Sequence, residues 1–240
     1  MRISGLQKLT LIDYPGKLAA TIFTPGCNFR CGFCHNPELV IDINPLQNFP
    51  TDQILGFLES RTKYLEAVCI TGGEPLLQSD LLEFTEKLKK MGYLVKIDTN
   101  GTVPDLLQKL IKKRLVDYIA MDIKAPLKWG HYKRVSSMTD KKLFENILES
   151  IKILFKLNRS KKISYEFRTT VVPKLLKADD IETIAKQIKG AKKYVLQQFK
   201  NSGKMINKKF KKVKPYSVEE LELMCQLAKK YVKSCELANV

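Results

Sequence analysis

Short apolar runs alternate with longer amphipathic stretches along most of the chain, and this alternation narrows the possible folds sharply. Apolar runs separated by helix-length segments are typical of parallel strands joined by right-handed helical crossovers. The runs predict strands at 18–24, 67–71, 93–98, 117–122, 163–172 and 194–199. The amphipathic stretches predict helices at 51–61, 79–91, 104–113, 140–157, 178–188 and 217–234.

Six strand–helix units are too few to close the eight-stranded barrel of other parallel α/β proteins. The predicted fold class is therefore α/β, with a partial (β/α)6 barrel of parallel strands. A length of 240 residues suits one such unit, and the sequence has no internal repeat. We expect a single domain over 1–240, with its core at about 15–200 and a helical C-terminal tail at about 215–240.

The lengths of the apolar runs also indicate the cellular compartment of the protein. The first residues contain no apolar stretch of signal-peptide length, and the longest runs are far shorter than the roughly 20 residues that span a bilayer. The sequence therefore predicts a cytoplasmic protein without a membrane partner. Thiols stay reduced in that compartment, which argues against a disulfide framework for the six cysteines.

The chain has a formal net charge of +17, and its densest basic stretch, 200–214, contains seven lysines and no acid. A solvated surface explains such a stretch, and so does a basic docking face for an acidic partner or for nucleic acid. Phe210 is its only aromatic residue, so a platform that stacks bases is not indicated. We interpret the stretch as a mobile or partner-facing loop, and nucleic acid is not the expected partner.

Three of the cysteines, Cys27, Cys31 and Cys34, lie within eight residues of each other. A structural zinc site needs a fourth ligand, and no paired half-site stands elsewhere in the sequence. Three cysteines on a four-iron cluster leave one iron open, which is typical of a catalytic site. An iron–sulfur cluster is therefore favoured over zinc and over unliganded thiols. Cys69, in a predicted strand, is interpreted as a small buried hydrophobic residue.

Polar and ionisable residues follow the predicted strands at the point where each strand ends. The carboxyl ends of parallel strands meet at one edge of a sheet, where ligands and catalytic groups collect. Each residue alone has an ordinary explanation, such as a tight turn, an Asx-turn or an ion pair. Together they predict one site, formed by Gly72, Gly73, Glu74, Asp98, Asn100, Asp122, Lys124, Arg168 and Gln198.

The Cys-x3-Cys-x2-Cys loop, with Phe33 before its last cysteine, resembles the signature of the radical S-adenosylmethionine (SAM) superfamily. Gly72-Gly73-Glu74 and Asp122-Ile123-Lys124 stand where that superfamily has its SAM-contacting segments. The stretch 5–37 is similar to the glycyl-radical-enzyme activating enzymes, and in detail to the activating proteins of anaerobic ribonucleoside-triphosphate reductases. The resemblance extends to about residue 200.

The resemblance implies two cofactors, a 4Fe–4S cluster and SAM. Cys27, Cys31 and Cys34 would hold the cluster, and its fourth iron would take the amino and carboxylate groups of SAM. Reductive cleavage of SAM would give a 5′-deoxyadenosyl radical that removes a hydrogen atom from a glycine of the partner, a glycyl radical enzyme. A flavodoxin- or ferredoxin-type protein would donate the electron.

The resemblance also implies roles for single residues. The backbone at Gly72 and Gly73, with Glu74, would receive the SAM ammonium group. Asp98, Asp122 and Lys124 would contact the ribose and carboxylate, Arg168 would lie near the carboxylate, and Phe33 near the adenine. Independently of the resemblance, Asn100 at a strand end could bind sugar hydroxyls, as polar groups do in dinucleotide folds. Cys34 and His35 complete the predicted cofactor-binding residues.

One position departs from the family pattern. Pyruvate formate-lyase activating enzymes have a histidine at the end of the last strand that contacts SAM. The present sequence reads Gln197-Gln198-Phe199-Lys200 there. We therefore expect the contact to pass to Gln198 or Lys200.

Three other activities remain open at this point. The first is activation of pyruvate formate-lyase instead of a ribonucleotide reductase. The second is radical SAM chemistry on a small molecule or on tRNA. The third is a non-enzymatic iron–sulfur carrier or zinc-binding module, which would have no use for the ring of charged residues at the strand ends.

Overall fold

The strands of the protein lie in one sheet, in the order in which they occur along the chain. The computed structural model describes residues 1–41, 43–44 and 46–240. β1 pairs with β2 antiparallel, while each later neighbouring pair is parallel. The strands are β1 (Gly5–Thr10), β2 (Ala19–Thr24), β3 (Ala67–Gly72), β4 (Leu94–Thr99), β5 (Tyr118–Asp122), β6 (Ser164–Val171), β7 (Tyr194–Gln198) and β8 (Cys235–Ala238).

Helices form the connections between the parallel strands. They are α1 (Thr51–Glu59), α2 (Leu81–Lys90), α3 (Pro104–Lys112), α4 (Trp129–Ser136), α5 (Lys141–Lys156), α6 (Ala178–Gln187) and α7 (Val218–Lys229). Shorter 3-10 turns lie at Pro37–Leu39, Pro75–Leu77, Leu157–Arg159 and Lys208–Lys212. Among the helices of the described residues, none combines the length and the apolar character needed to cross a membrane.

The predicted α/β class with a partial barrel of parallel strands is confirmed. The six predicted strands are β2 to β7, and each begins and ends within one residue of its predicted bounds. Their residues are buried on both faces for most of their length, which produces the continuous apolar runs seen in the sequence.

The sequence missed both outer strands and one helix. Three of the six residues of β1 are exposed, so it has no apolar run. The segment predicted as a helical tail at 215–240 is corrected, because α7 ends at Lys229 and β8 then pairs with β7. A strand of only four residues is too short to show a period of its own. Helix α4, which lies between β5 and α5, was also not predicted.

Alternation along the strands gives the sheet two different faces. Ile22, Ile70, Ile97 and Ile119 are fully buried in the large core shared with the helices. Their sequence neighbours Thr21, Cys69, Lys96 and Tyr118 are in register on the opposite face, inside the curved sheet. Cys69 is 1% exposed, which confirms its predicted buried position. Lys96, Asp98, Asp122 and Arg168 have the same orientation and therefore point into the barrel.

Candidate active site

The cysteine loop, residues 27–34, follows the carboxyl end of β2 and is fixed by backbone hydrogen bonds. The Gly26 N–H donates to the Leu39 carbonyl over 2.7 Å, which closes the loop. The Cys34 N–H donates to the Cys31 carbonyl at 3.0 Å. The Arg30 N–H donates to the carbonyl of the last residue of α4 at 3.0 Å. The thiols are thus presented by a loop with a defined shape.

The three thiols line one cavity of about 230 Å³ at the carboxyl ends of the strands. Cys31 is buried, and Cys27 and Cys34 are half-buried. Burial, together with the Glu74 carboxylate, raises the pKa of Cys27 to about 11, and burial raises the pKa of Cys31 to about 12. Metal ions displace the protons of thiols, so a bound metal group would stabilise these buried thiolates.

The Gly72-Gly73 turn packs directly against the start of the cysteine loop. The Gly73 N–H donates to the Thr24 carbonyl at 2.8 Å, and the Glu74 N–H donates to the Gly26 carbonyl at 2.7 Å. A Cβ atom on Gly73 would lie 1.9 Å from the Gly26 carbonyl oxygen. Gly72 has a φ of +119°, and a Cβ there would lie 2.4 Å from the Thr24 carbonyl oxygen. Only glycine fits at these two positions.

Glu74 is 1% exposed, and both of its carboxylate oxygens accept hydrogen bonds from the protein. Oε1 accepts from the Leu76 N–H at 3.1 Å and from the Thr99 hydroxyl at 2.7 Å, and Oε2 accepts from the Asn100 N–H at 2.6 Å. Burial raises the pKa of Glu74 to about 7, and these three donors limit the rise because they stabilise the carboxylate. Glu74 therefore links the ends of β3 and β4. Its contact with an ammonium group stays a prediction.

Asn100 lies beside the thiol of Cys27. Its side-chain Nδ2 is 2.8 Å from Asn28 Oδ1 and 3.9 Å from Cys27 Sγ. Its Oδ1 accepts from the backbone N–H of Thr102 at 3.0 Å and from the Thr102 hydroxyl at 2.7 Å. These bonds fix the Asn100 side chain against the first cysteine of the loop. Its contact with a sugar hydroxyl stays a prediction.

Five charged side chains form a continuous ion-pair network inside the barrel. Arg168 donates from Nε to Asp122 and from an Nη to Asp98, each at 3.0 Å. Lys124 Nζ lies 2.8 Å from the second oxygen of Asp122, and Lys96 contacts Asp98. Three cations therefore face two carboxylates. Lys96 was missed in the sequence, although its place two residues before Asp98 on one strand puts both side chains on the same face.

Shifted pKa values keep Asp98, Asp122, Lys124 and Arg168 charged at neutral pH. Burial raises the pKa of Asp122, but Arg168 and Lys124 outweigh it and hold the value at about 2. The pKa of Asp98 is also lowered, since Arg168 and Lys96 outweigh its burial. Burial opposes the charge of Arg168 and Lys124, yet Asp122 and Asp98 raise the pKa of Arg168, and Asp122 raises the pKa of Lys124, above the ordinary values.

The structure brings nearly all of the predicted site residues together around this cavity. Those that line it are Cys27, Cys31, Phe33, Cys34, His35, Gly72, Gly73, Glu74, Asp98, Asn100, Asp122, Lys124 and Arg168. Thr170 of β6 also lines it and was missed, because a threonine in a strand carries no distinctive signal.

The structure does not bring Gln198 to the cavity, and the contact of Gln198 or Lys200 with SAM stays a prediction. The Gln198 Nε2 donates to the Tyr216 carbonyl at 2.8 Å, and its side chain is not part of the cavity lining. Lys200 is exposed, and its carbonyl oxygen lies 2.7 Å from Nε2 of His35. The end of β7 thus supports the cysteine loop through its backbone.

The lysine segment, residues 200–214, covers the cysteine loop. The Asn207 N–H donates to the Gly32 carbonyl at 2.8 Å. Phe210 packs edge-on against Phe33 with 6.1 Å between the ring centroids. Val213 is buried. The segment was predicted to be a mobile or partner-facing loop, and that stays a prediction. Its contacts with the cysteine loop were not predicted, because Asn207 and Phe210 lie far along the chain from Gly32 and Phe33.

The donor set fits a four-iron cluster with one open iron. The thiols of Cys27, Cys31 and Cys34 face one cavity, and the other cysteines do not line it. Within the described residues, no three His, Cys, Asp or Glu side chains converge on the position of a single metal ion. A cubane cluster binds each thiolate on a separate iron, so its ligands need not converge on one point.

Comparisons with known proteins agree with this geometry. The family model described as the radical SAM superfamily matches residues 21–188. A Methanocaldococcus jannaschii protein, named as a candidate glycyl-radical enzyme activating enzyme, is 35% identical over 240 residues, which cover 99% of this chain and 96% of that protein. The pyruvate formate-lyase-activating enzyme of Clostridium pasteurianum is 26% identical over 232 residues, covering 93% of this chain and 91% of that enzyme.

A solved structure of a different protein has a similar fold. Streptococcus suis SuiB bound to S-adenosylmethionine matches 91% of this chain and 51% of its own chain, with a TM-score of 0.64 and 14% identity. The fold, the family match and the relative that matches the whole length all indicate the same family. Its cofactors are a 4Fe–4S cluster and SAM. The chain belongs to the radical SAM superfamily and, within it, to the glycyl-radical-enzyme activating enzymes.

Proposed function

We propose that this enzyme cleaves SAM reductively at a 4Fe–4S cluster and installs a glycyl radical on an anaerobic ribonucleoside-triphosphate reductase. The observation that carries the proposal is the single cavity shared by three thiols and the Arg168-centred ion-pair network. SAM has an ammonium, a carboxylate and a sulfonium group. A site for it therefore needs charges of both signs beside the cluster.

The protein residues have distinct roles in this proposal. Cys27, Cys31 and Cys34 hold the cluster. Bound together, the cluster and SAM supply a carbon-centred radical through one-electron cleavage of the S–C5′ bond. The Gly72-Gly73 turn, held against Thr24 and Gly26, lines the cavity and would offer backbone carbonyls to the ammonium group.

The ion-pair network would receive the other end of SAM. Arg168 uses Nε and one Nη in its two ion pairs, and Lys124 uses one of its three donors. The donors that remain can bind a carboxylate. The buried rings of Phe29 and Phe33 line the cavity and would keep water away from the reacting carbon.

The choice of partner rests on the similarity of segment 5–37 to the reductase activating proteins. Pyruvate formate-lyase activation is the second candidate, because the Clostridium pasteurianum relative that carries that name matches almost the whole chain. In either case a low-potential protein, of the flavodoxin or ferredoxin type, would donate the electron.

Electron paramagnetic resonance tests the proposal in two steps. The anaerobically reconstituted and reduced protein is measured before and after SAM is added, and SAM should change the cluster signal. The mixture is then incubated with each purified candidate partner, and the doublet of a glycyl radical should appear with the reductase. The Cys31→Ala variant serves as the control without cluster.

Each outcome has a distinct meaning. A doublet on pyruvate formate-lyase alone would replace the partner and leave the chemistry in place. A cluster signal that SAM leaves unchanged would contradict the proposed cofactor site. Zinc binding without cluster formation would contradict the assignment of the three cysteines.

A further inference from the structure

We propose that the lysine segment is the docking surface for an acidic, low-potential electron-transfer protein. The inference rests on the proposed function, because reductive cleavage of SAM needs one electron from outside the chain. It goes further by stating where the donor binds and which side chains recognise it.

The charge of the segment is concentrated and largely uncompensated. All seven of its lysines are exposed, and Lys208, Lys209, Lys211 and Lys212 share one 3-10 turn. Lys204 lies 3.9 Å from Glu38. In the described part of the chain, no other lysine of the segment has an ion-pair partner. Such a patch produces a positive field that attracts a partner of opposite charge.

Further basic residues extend this field around the cysteine loop. Arg30 lies on the loop itself and is exposed. Helix α4 contains no acid, and its Lys133 and Arg134 are exposed near its end. That end is hydrogen-bonded to the backbone of Arg30 at 3.0 Å. The cysteine loop is thus flanked by positive charge from two separate elements.

The position of the segment suits electron transfer. Phe210 packs against Phe33, which lies between Cys31 and Cys34 and lines the cavity. Asn207 contacts the backbone of Gly32 in the same loop. Phe210 and Phe33 therefore form a short chain of contacts from the lysine segment to the cavity that the thiols line. The charged surface and the route to the metal centre therefore coincide.

The same contacts argue against nucleic acid as the occupant. The ring of Phe210 faces Phe33 and Phe199, at centroid distances of 6.1 and 6.3 Å. The segment therefore offers no free aromatic ring on which a base can stack. A protein with carboxylates around its redox group fits better, since transient redox contacts are small and are steered by charge.

A charge-reversal variant with a matched control tests the proposal. The test variant is K208E/K209E/K211E/K212E, and the control is K63E/K90E/K161E/K162E. The control lysines are exposed and precede β3, β4 and β6, so they lie at the opposite end of the strands and give the same change in net charge. The neutral variant K208Q/K209Q/K211Q/K212Q is included in case charge reversal disturbs folding.

Binding and electron transfer are measured separately. The dissociation constant for an acidic oxidised flavodoxin is determined by fluorescence anisotropy as a function of salt concentration. The rate of cluster reduction is then measured with the flavodoxin hydroquinone and with photoreduced 5-deazaflavin, a small donor that needs no docking surface. Binding of a transfer RNA is measured in parallel.

We expect the test variant to bind flavodoxin about ten-fold or more weakly at low salt, with a smaller salt dependence, while the control changes far less. Reduction by flavodoxin should slow by a similar factor, and reduction by deazaflavin should not change. Equal losses in both variants, or unchanged flavodoxin binding with lost RNA binding, would overturn the proposal.

A failure of the proposed function would look different. The wild-type protein, reduced by deazaflavin, would then produce no glycyl radical on either partner. The difference in flavodoxin binding between test and control variants would still be measurable, so the two results can be separated.

Discussion

Some polar atoms around the cavity are already hydrogen-bonded within the protein, and others are free to bind a ligand. Both oxygens of Glu74 and both oxygens of Asp122 accept bonds from neighbouring residues. The thiols and the remaining donors of Arg168 and Lys124 are free to bind a ligand. Asp122 accepts one bond on each oxygen and keeps lone pairs that can accept more. The buried carboxylates also hold the cations and the backbone in position.

The cysteine assignment gives a direct prediction. Replacing Cys27, Cys31 or Cys34 by Ala removes one of three thiolates and should abolish the 4Fe–4S cluster. Cys69→Ala and Cys225→Ala are the controls and should keep it, since neither thiol lines the cavity. Iron and acid-labile sulfide per chain, with visible absorbance, are the measurements. Loss of the cluster in Cys225→Ala would contradict the three-ligand assignment.

The ion-pair network predicts a pH dependence of stability. The folded pKa of Asp122, about 2, lies below its ordinary value of 3.8. Its stabilising contribution is therefore present above about pH 4 and is lost as the pH falls toward 2. Over that range the stability difference between wild type and Asp122→Asn should shrink by about 2 kcal/mol.

Urea unfolding of the cluster-free protein at several pH values between 6 and 2.5 measures this difference. Asp105→Asn is the control, because Asp105 is exposed on α3 and has no ion pair in the described residues. A difference for Asp122→Asn that stays constant with pH would show that the network does not favour the ionised carboxylate.

At the scale of elements, the backbone that follows β2 and the Gly72-Gly73 turn at the end of β3 are in direct contact. Gly73→Ala would place its Cβ against the Gly26 carbonyl, which precedes the first cysteine. We expect a loss of about 3 kcal/mol or more in unfolding free energy, as in other overpacked sites, together with weaker cluster loading.

Gly56→Ala is the matched control for this prediction. Gly56 is exposed in α1, and a Cβ there meets no atom within 4 Å. Alanine should stabilise that helix by roughly 0.5–1 kcal/mol. Chemical denaturation measures both variants, and equal stability of Gly73→Ala and wild type would refute the close approach of the two loops.

The strands also show which parts of the fold and the site could be predicted from the sequence alone. Strands such as Val68 to Ile70 and Ile119 to Met121 are buried on both faces, so their apolar runs were visible. Cys27, Glu74 and Asp122 could be placed at one edge because strand ends in a parallel sheet coincide. Gln198 could not be placed, because its partner is a backbone carbonyl far along the chain.

At the scale of the whole molecule, β8 forms the last strand of the sheet and α7 packs beside it. Neither contributes to the cavity lining. Leu221, Met224 and Cys235 are buried there, and α7 packs against α6. Removing residues 217–240 would expose this apolar surface and the edge of β7. We expect the truncated chain to lose cooperative thermal unfolding and to aggregate.

Calorimetry and light scattering measure that outcome, and removal of residues 239–240 alone is the control. Those two residues follow β8, and Val240 is 60% exposed, so the shorter deletion should leave unfolding unchanged. A cooperative transition in the chain without residues 217–240 would show that β7 can form the edge of a stable sheet.

The contact between the lysine segment and the cysteine loop joins a late part of the chain to an early one. A chain made from its N terminus presents the three thiols long before Asn207 and Phe210 have been synthesised. Iron and sulfide delivered during this interval reach a loop with one side open. Completion of the chain then covers that side, so a cluster assembled after folding has to enter past the lysine segment or through the open cavity.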